Sequence, residues 1–481
     1  MLDNRTGEWL AWEGSGNFFD ADHGGAIDGV VAPRQPGSAL KPFTYAAAFE
    51  RNRHPGNVLA DVPSQFPTAE AGILYSPRNY DGRFRGPLPA RDALAGSENV
   101  PAVALASEIG VPAIARLLRQ VGLTTLGNNA AHYGLGLTLG NAEVRLDELV
   151  AAYAMLARGG ESMAPRLIAS IDGVSRPSSP IDRVLSARTA FWITDILADP
   201  NARAYTFGRG GTLEFPFPVA AKTGTSQAYR DNWVVGYTRD VTVGVWVGNF
   251  DRTPLRGSSG ITGAGPIFHG VMLAAVEHVR GHLPIGDATP ILAPPADVEQ
   301  REICVLSGLA PHDACATRVR EWTPAGAAIG RCTWHHATEA GPIVVWPDEY
   351  RDWARDAGLL SARADAAGPA SATSTRAASA VDAAELSGAR AAARDDVLAI
   401  VRPLSGATFL IDPTLRPEFQ TLVLQARGAA PGRLEWFVNG APVGAVDSEA
   451  AGVRWPLARG KHDVTVRDSR GRSARTAITV R

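Results

Sequence analysis

The chain has 481 residues, of which 45% are hydrophobic and 20% charged, a composition typical of globular proteins, and its length predicts roughly two to four domains. The net charge of −2 argues against a general nucleic-acid-binding protein, because such proteins carry a basic surplus. The longest apolar runs fall short of the ~18 residues that a membrane span needs, so we expect no membrane span in this chain, and we expect no signal peptide at its start.

The N-terminal half predicts a strand pair followed by helices. Residues 1–12, MLDNRTGEWLAW, place the turn NRTG between two apolar runs and therefore predict a β-hairpin. Residues 38–50 predict a helix, and from Asp92 to Arg158 apolar residues recur at helical spacing.

The next part of the chain predicts a small antiparallel sheet. Residues 218–250 contain three β-rich runs, VAAKTGT, DNWVVGYT and VTVGVWVGNF, which short polar turns separate. A helix is predicted near residues 270–281. Strands at both ends with helices between them predict one α+β domain over residues 1–281, with its antiparallel sheet closed by N- and C-terminal pieces.

The remainder predicts three further segments. Residues 282–360 are Pro-rich, contain the three cysteines and predict an irregular extension. Residues 361–394 are rich in Ala, Ser and Gly without an apolar stripe, which predicts a linker. Residues 395–481 alternate apolar and polar residues between turns, and this pattern predicts a small antiparallel β-sandwich of Ig-like size.

The stretch QPGSALKPF at residues 35–43 holds one of only three lysines among the 47 basic residues. Ser38 and Lys41 are three residues apart in a predicted helix and therefore share one face. A serine beside an amine is a candidate nucleophile with its base. Lysine can lose its proton when buried, whereas arginine cannot, which is a chemical reason for lysine in an arginine-rich chain.

Two more segments carry candidate site residues. Ser97-Glu98-Asn99 follows the predicted nucleophile in sequence, although this pattern also occurs in helix caps and turns. Lys222-Thr223-Gly224-Thr225 lies in a predicted strand and contains the second lysine. The positive charge of Lys222 can hold a carboxylate and lower the pKa of Lys41, while a glycine in a strand permits close approach of a ligand.

The ordered set S-x-x-K, S-x-N and K-T-G is typical of penicillin-binding proteins and class A β-lactamases. Residues 1–280 carry these motifs and resemble the transpeptidase domain of class A penicillin-binding proteins. The resemblance extends beyond the motifs to the stretches NYDGRFRGPLPARDALAGSENVPAV and AAKTGTSQAYRDNWVVGYT. The segment from residue 397 onward resembles the C-terminal domain of the 1C branch of that family. The resemblance implies a serine transpeptidase/β-lactamase-like α+β fold.

The resemblance also implies catalytic roles. Ser38 would be the acylated nucleophile and Lys41 its base. Ser97 would relay protons to the leaving amine, and Asn99 would bind the substrate peptide. Lys222 would take part in catalysis through its charge.

Substrate binding is implied for the residues of the K-T-G segment. Lys222, Thr223 and Thr225 would hold the substrate carboxylate, with Gly224 between them. The backbone N–H groups of Ser38 and Thr225 would form the oxyanion hole. The site assignment contains no metal ligand, and no cofactor is expected.

The family's activity is the cross-linking of peptidoglycan through a serine acyl-enzyme, which penicillin inhibits. The implied partners are stem peptides ending in D-Ala-D-Ala, β-lactams and, through the C-terminal domain, other cell-wall synthesis proteins. The implied location is the periplasmic side of the bacterial inner membrane.

Family members normally begin with a cytoplasmic tail, a membrane helix and a glycosyltransferase domain. Because this chain opens as if in mid-domain, we expect it to be a fragment or to rely on another polypeptide, and we expect no glycosyltransferase activity from it.

Other functions use similar residues. A class A β-lactamase needs a deacylating glutamate in an E-x-x-x-N loop, and between Ser97 and Lys222 no glutamate is followed by asparagine four residues later. A D,D-carboxypeptidase, with water as acceptor, would use the same residues, and a non-catalytic cell-wall scaffold is the alternative from a different class. The absence of G-x-S-x-G argues against an α/β-hydrolase.

The three cysteines, Cys304, Cys315 and Cys332, leave three possibilities open. An odd number in an exported protein suggests one disulfide and one free thiol. The sequence Cys332-Thr333-Trp334-His335 could instead join the other two cysteines in a zinc site of three cysteines and one histidine. The third possibility is that the cysteines form no bond.

Overall fold

The computed structural model describes residues 1–67, 73–127, 129–175, 180–255, 257–360, 398–403, 405–409, 411, 421–448 and 452–481. The predicted linker, residues 361–394, lies outside these described residues. The chain forms two compact units, one of Met1–Asp61 with Pro87–Thr333 and one of Val62–Gly86 with Trp334–Arg481. The domain limits drawn from the sequence stay a prediction.

The α-helices of the described residues are α1 Lys41–Phe49, α2 Ala90–Ala95, α3 Asn99–Ile109, α4 Val111–Gln120, α5 Leu146–Ala157, α6 Ala187–Ala198, α7 Pro200–Phe207, α8 Gly265–Arg280 and α9 Asp348–Asp356. The strands are β1 Leu2–Asp3, β2 Val58–Asp61, β3 Phe66–Pro67, β4 Ile73–Tyr75, β5 Gly86–Pro89, β6 Glu161–Met163, β7 Ser170–Ile171, β8 Val174–Ser175, β9 Ile181–Arg183, β10 Ala220–Thr225, β11 Asp231–Tyr237, β12 Val241–Gly248, β13 Val298–Cys304, β14 Arg318–Pro324, β15 His335–Thr338, β16 Gly341–Val344, β17 Ala399–Arg402, β18 Thr408–Phe409, β19 Thr421–Arg427, β20 Arg433–Val438, β21 Ala441–Asp447, β22 Val453–Pro456, β23 Gly460–Arg467 and β24 Ser473–Val480.

The first unit is built around an antiparallel sheet in the order β1-β12-β11-β10. All seven residues of β11 are buried, because both faces of the sheet are covered. Val235 and Tyr237 belong to the large helical core, whereas Val234 packs in a second core with Phe268 and Met272 of α8. Burial on both faces explains why this strand is a nearly continuous apolar run.

The three predicted strands of residues 218–250 and the helix near residues 270–281 are confirmed as β10, β11, β12 and α8. The N-terminal hairpin is confirmed as a short antiparallel contact. Leu2 bridges Trp9, the Asp3 N–H donates to the Glu8 carbonyl at 2.9 Å, and the Leu10 N–H donates to the Met1 carbonyl at 2.9 Å. β1 also pairs with β12 along its two residues, and Glu8 also bridges Arg166.

The extension at residues 282–360 is not irregular throughout, and that prediction is wrong in part. β13 and β14 pair over seven residues each, β15 pairs with β16, and α9 follows. Val298 and Ile303 on β13 are buried, but the four residues between them are polar, so the apolar pattern did not indicate this strand.

The second unit contains a three-stranded sheet, β17-β19-β22, and a seven-stranded sheet, β21-β20-β23-β24-β18-β4-β3. Buried residues of the smaller sheet, such as Leu424, share one core with Trp436 and Val464 of the larger sheet, as the predicted sandwich requires. The pairing is not wholly antiparallel, because β18 runs parallel to both β24 and β4. The sequence did not indicate this arrangement, since β3 and β4 lie more than 300 residues earlier in the chain.

Within the described residues no single helix is long and apolar enough to cross a membrane, and α3 and α4 reach that length and composition only as a pair bent by 96°.

Candidate active site

The turn that carries Ser38 packs directly against the strand that carries Lys222. Residues Gly37–Leu40 form a 3-10 turn that leads into α1. A Cβ placed on Gly37, which has φ of +55°, would lie 2.3 Å from the Thr225 carbonyl oxygen. A Cβ on Gly224 would lie 2.0 Å from the Pro36 carbonyl oxygen. Glycine is therefore required on both sides, because two backbones touch here without room for a side chain.

Ser38 and Lys41 lie on one continuous helical turn, as the sequence predicted. The backbone N–H of Lys41 donates to the Ser38 carbonyl, and Ser38 itself is partly exposed. A buried hydrogen bond stabilises the turn: the Tyr153 hydroxyl donates to the Ala39 carbonyl at 2.7 Å. The candidate nucleophile thus sits at an open face of a rigidly supported turn.

Lys41 is fully buried and points at the Ser97-Glu98-Asn99 segment. Its Nζ donates to the Ser97 carbonyl at 2.5 Å and to Asn99 Oδ1 at 2.6 Å, and lies 3.5 Å from Ser97 Oγ. Both close acceptors are uncharged, so neither compensates for the loss of water around the ammonium group as a carboxylate would.

Ser97 connects the two lysines of the site. It adopts a left-handed backbone conformation with φ of +65°, uncommon for a residue with a side chain and typical of functional sites. Lys222 Nζ donates to Ser97 Oγ at 2.7 Å and to the Thr223 carbonyl at 3.1 Å. One hydroxyl therefore lies within reach of both amines.

The two buried amines have lowered pKa values. Burial lowers the pKa of Lys41 to about 7, although the nearby carboxylates of Glu98 and Asp61 oppose the shift. Burial also lowers the pKa of Lys222, and the neighbouring charge of Lys41 lowers it further. A lysine with a pKa near neutrality is an effective general base at physiological pH.

The rest of the K-T-G segment belongs to β10, an edge strand of the sheet. Thr223 is buried, and Thr225 Oγ1 accepts the N–H of Gly260 at 3.0 Å. The backbone nitrogen of Thr225 borders the Ser38 turn, since a Cβ on Gly37 would lie 2.8 Å from it. Side-chain hydrogen bonds thus link Lys41 and Lys222 to Ser97 and Asn99. Ser38, Gly224 and Thr225 are brought to the same place by backbone contacts.

Two carboxylates near the site were not among the sequence-predicted residues. Glu98 and Asp61 are 3% and 0% exposed, and both act on the pKa of Lys41. Tyr205 donates its hydroxyl to Glu98 Oε1 at 3.1 Å. Glu98 is the variable middle residue of the S-x-N motif. The only sequence signal for its place near the site is that it lies between Ser97 and Asn99. No sequence signal places Asp61, at the end of β2, near Lys41.

The fold is the α+β serine transpeptidase fold, which indicates a serine acyltransferase- or peptidase-type enzyme, and comparison with known proteins agrees. The Penicillin binding protein transpeptidase domain model matches residues 1–273, and the Penicillin-Binding Protein C-terminus Family model matches residues 387–480. The chain therefore belongs to the penicillin-binding protein transpeptidase family, whose members are serine acyltransferase- or peptidase-type enzymes.

Relatives and a solved structure refine this placement. Penicillin-binding protein 1C of Escherichia coli (strain K12) is 36% identical over 273 residues, covering 56% of this chain and 33% of the relative. Penicillin-binding protein 1A of Neisseria gonorrhoeae is 30% identical over 295 residues, covering 58% and 36%. The chain thus spans about a third of the length of these curated relatives. The crystal structure of penicillin-binding protein 1A from Haemophilus influenzae shares the fold, with a TM-score of 0.52 and 21% identity over 64% of this chain and 50% of that chain.

Proposed function

We propose that this chain is a peptidoglycan D,D-transpeptidase that works through an acyl-enzyme on Ser38. Ser38 Oγ attacks the penultimate carbonyl of a stem peptide ending in D-Ala-D-Ala and passes its proton to Lys41. The peptide bond breaks, D-alanine leaves with a proton on its amine, and an ester remains on Ser38. An amine of a second stem peptide then attacks the ester and restores the serine.

The observation that carries this proposal is the buried amine of Lys41. A base must be unprotonated before it can accept the Ser38 proton, and a pKa of about 7 leaves a large neutral fraction at physiological pH. The 3-10 turn that carries Ser38 leads directly into α1, which begins at Lys41, so the nucleophile and its base lie on one continuous segment. An arginine here would stay charged and could not act as the base.

Ser97 and Lys222 suit the second proton transfer and the binding of the substrate carboxylate. The Ser97 hydroxyl lies between the two amines and can pass a proton from Lys41 to the leaving nitrogen. An arriving carboxylate would counter the lowered pKa of Lys222, because a negative charge favours the protonated amine. Thr223, Gly224 and Thr225 would complete this subsite.

The oxyanion of the tetrahedral intermediate would be held by the backbone N–H groups of Ser38 and Thr225. Their two segments touch at Gly37, since a Cβ on that glycine would lie 2.8 Å from the Thr225 nitrogen. Two converging N–H donors fixed by backbone packing stabilise a developing negative charge without reorganisation.

The test is covalent labelling by benzylpenicillin, followed by the intact mass of the full chain. We expect one adduct on Ser38 and none in Ser38→Ala, with Ser170→Ala as a control, since Ser170 is exposed on β7. An adduct that survives Ser38→Ala would overturn the assignment of the nucleophile. Loss of the adduct in both variants would point to a folding defect, which circular dichroism detects.

The fate of the acyl-enzyme separates transpeptidase from the alternatives. A transpeptidase should transfer a donor stem to an added amine acceptor, whereas a carboxypeptidase should release only the hydrolysed donor, and a scaffold should do neither. After removal of free penicillin, the adduct should persist for minutes to hours. Rapid decay with an excess of hydrolysed penicillin would instead indicate a β-lactamase.

The proposed setting follows from bacterial relatives that are penicillin-binding proteins. We propose the periplasmic side of the inner membrane as the site of action, with stem peptides and β-lactams as ligands. Cell-wall synthesis proteins are the proposed partners of the C-terminal domain. Fractionation of cells producing the full-length protein tests the location, and a cytoplasmic protein would contradict it.

A further inference from the structure

A buried carboxylate stands among the residues of the candidate site, and the proposed proton transfers do not use it. Glu98 is 3% exposed and lies between Ser97 and Asn99 in the chain. Lys41 Nζ donates to the Ser97 carbonyl at 2.5 Å and to Asn99 Oδ1 at 2.6 Å. All of these residues belong to the first compact unit. A carboxylate buried this deeply is costly unless positive charge or hydrogen bonds compensate it, so the groups around it indicate its role.

Local contacts fix the position of Glu98. It is the residue immediately before α3, and its N–H donates to the Ala93 carbonyl at 2.9 Å. The Tyr205 hydroxyl lies 3.1 Å from Glu98 Oε1 and 2.9 Å from the Asp92 carbonyl oxygen. A Cβ on Gly96 would lie 1.9 Å from that hydroxyl oxygen, so the chain needs a glycine where Tyr205 packs against this segment.

Glu98 acts on both amines of the site. Burial lowers the pKa of Lys41 to about 7, and the carboxylates of Glu98 and Asp61 oppose that shift. Burial and the charge of Lys41 lower the pKa of Lys222, and Glu98 opposes that shift as well. Asp61 is 0% exposed at the end of β2. Glu98 is therefore the carboxylate that the two amines share.

Two further titratable groups lie near these charges without balancing them. Arg203 of α7 is 6% exposed and donates to two backbone carbonyls. Its charge adds to the lowering of the Lys222 pKa that burial and Lys41 cause. Burial raises the pKa of Tyr45 on α1, and the two carboxylates raise it further, so its hydroxyl stays neutral. The balance of positive charge is thus left to the carboxylates.

We propose that Glu98 is a positioning residue whose carboxylate is the shared counter-charge of Lys41 and Lys222. This inference rests on the proposed function. During acylation the Ser38 Oγ–H bond breaks and the proton forms a new N–H bond on Lys41, which adds one positive charge to the site. Both amines lie within 3.5 Å of Ser97 Oγ, so a charge gained by one amine disfavours a charge on the other. A fixed carboxylate beside both stabilises the transferred proton until it passes to the leaving nitrogen.

A purely structural role explains Glu98 less well. A glutamine would fill the same space and could accept the hydrogen bond of Tyr205, and an uncharged amide costs less to bury than a carboxylate. The contact with Tyr205 therefore gives no reason for a charge at this position, whereas two buried amines do.

The first experiment observes the amines directly. The chain has only three lysines, Lys41, Lys222 and Lys461, so the full chain labelled with [ε-¹³C]lysine gives few signals, which Lys41→Arg and Lys222→Arg assign. The Lys41 signal of the wild type should report ionisation near pH 7. In Glu98→Gln its midpoint should fall by about one pH unit or more, as the loss of a nearby opposite charge predicts, and the Lys222 signal should change in the same direction. An unchanged Lys41 midpoint, or a Lys222 signal identical at every pH in both proteins, would overturn the shared role.

Three variants separate the charge of Glu98 from its contacts. Glu98→Asp keeps the charge and should hold the Lys41 midpoint closer to the wild type than Glu98→Gln does. Tyr205→Phe removes the hydrogen bond and keeps the carboxylate, so the Lys41 midpoint should stay at the wild-type value. Glu108→Gln is the matched control, because it removes the same charge from an exposed position of the same helix. A shift in Tyr205→Phe as large as that in Glu98→Gln would mean that the contact, and not the charge, governs the amines.

Asp61→Asn tests whether Glu98 has a special place. It should lower the Lys41 midpoint and leave the Lys222 signal as in the wild type, because Asp61 acts on Lys41. A change at Lys222 as large as that in Glu98→Gln would mean that any buried carboxylate near the site has the same effect, and would overturn the proposal.

The second experiment follows acylation by benzylpenicillin across pH in the wild type and in Glu98→Gln, with circular dichroism to confirm folding. The pH of half-maximal rate should fall in the variant by as much as the Lys41 midpoint does, and equal pH profiles would overturn the role of Glu98 in acylation. The amine titration does not depend on acylation. A wild type without an adduct on Ser38 would refute the proposed transpeptidase, whereas a normal adduct with unchanged titrations would refute only the role of Glu98.

Discussion

Lys222 Nζ donates a hydrogen bond to Ser97 Oγ at 2.7 Å, and this contact links the K-T-G strand to the segment that holds Lys41. Ser97→Ala removes that acceptor and the proposed route for the proton to the leaving amine. We expect acylation by penicillin to slow by about 10²–10⁴-fold, the usual contribution of a positioned proton-transfer group. Stopped-flow acylation kinetics measure the effect.

Ser170→Ala provides the control for Ser97→Ala, because it removes a hydroxyl from an exposed strand. The adduct should still form on Ser38 in both variants. Acylation of Ser97→Ala at the wild-type rate would mean that the hydroxyl only fills space between the two amines.

The pH dependence of acylation should report the state of Lys41. The pKa of Lys41 is lowered to about 7 by burial, and only its neutral form can accept the Ser38 proton. The acylation rate should therefore rise with pH below about 7, close to tenfold per unit, and level off above it.

Lys41→Arg tests the same assignment at fixed pH. Arginine keeps the charge but cannot deprotonate, so acylation should nearly vanish. A loss below about tenfold, roughly 1.4 kcal/mol in the barrier, would make Lys41 only an electrostatic neighbour. Lys461→Arg is the control, because Lys461 is an exposed lysine of β23.

The motif residues were predictable because their chemistry is local in sequence. Ser38 and Lys41 share one helical turn, and the unusual use of lysine in an arginine-rich chain marks Lys41 and Lys222. The alternating and continuous apolar patterns likewise identified β10, β11 and β12.

The contacts that tune the site were not predictable, because they join distant parts of the chain. Asp61 acts on Lys41 from the end of β2, and nothing in its own neighbourhood indicates this. Gly37 is required by a backbone contact with Thr225 that appears only after the sheet has formed. The joining of β3 and β4 to the larger sheet of the second unit is non-local in the same way.

The burial of Lys41 should cost stability in a pH-dependent way. Its pKa falls from 10.5 to about 7 on folding, so the unfolded chain binds more protons between these values and stability contributed by this group rises with pH. Lys41→Met removes the titration. The stability of Lys41→Met relative to wild type should therefore be greatest below about pH 7 and fall by several kcal/mol as pH rises towards 10.5.

Urea unfolding of both proteins across that pH range measures the difference in free energy. The comparison uses its slope, because Lys41→Met also removes the hydrogen bonds to Ser97 and Asn99. A difference that is flat with pH would show that the attraction of Glu98 and Asp61 cancels the effect of burial.

Gly37→Ala should lower both the stability of the chain and its acylation rate by more than the strain of the left-handed backbone conformation alone explains. Gly37 has φ of +55°, and its new Cβ would lie 2.3 Å from the Thr225 carbonyl oxygen. Gly134 has nearly the same φ, +54°, but its Cβ would meet nothing within 4 Å, so Gly134→Ala carries only the conformational cost of about 1–2 kcal/mol. Gly37→Ala should lose at least about 1 kcal/mol more by urea unfolding, as is usual for overpacking.

The acylation rate of Gly37→Ala should fall at least about tenfold, because the Ser38 turn and the Thr225 strand must separate, whereas Gly134→Ala should acylate at the wild-type rate. Equal stability and equal acylation in the two variants would mean that the Ser38 turn tolerates a wider spacing from β10, and that the proposed oxyanion donors do not depend on this contact.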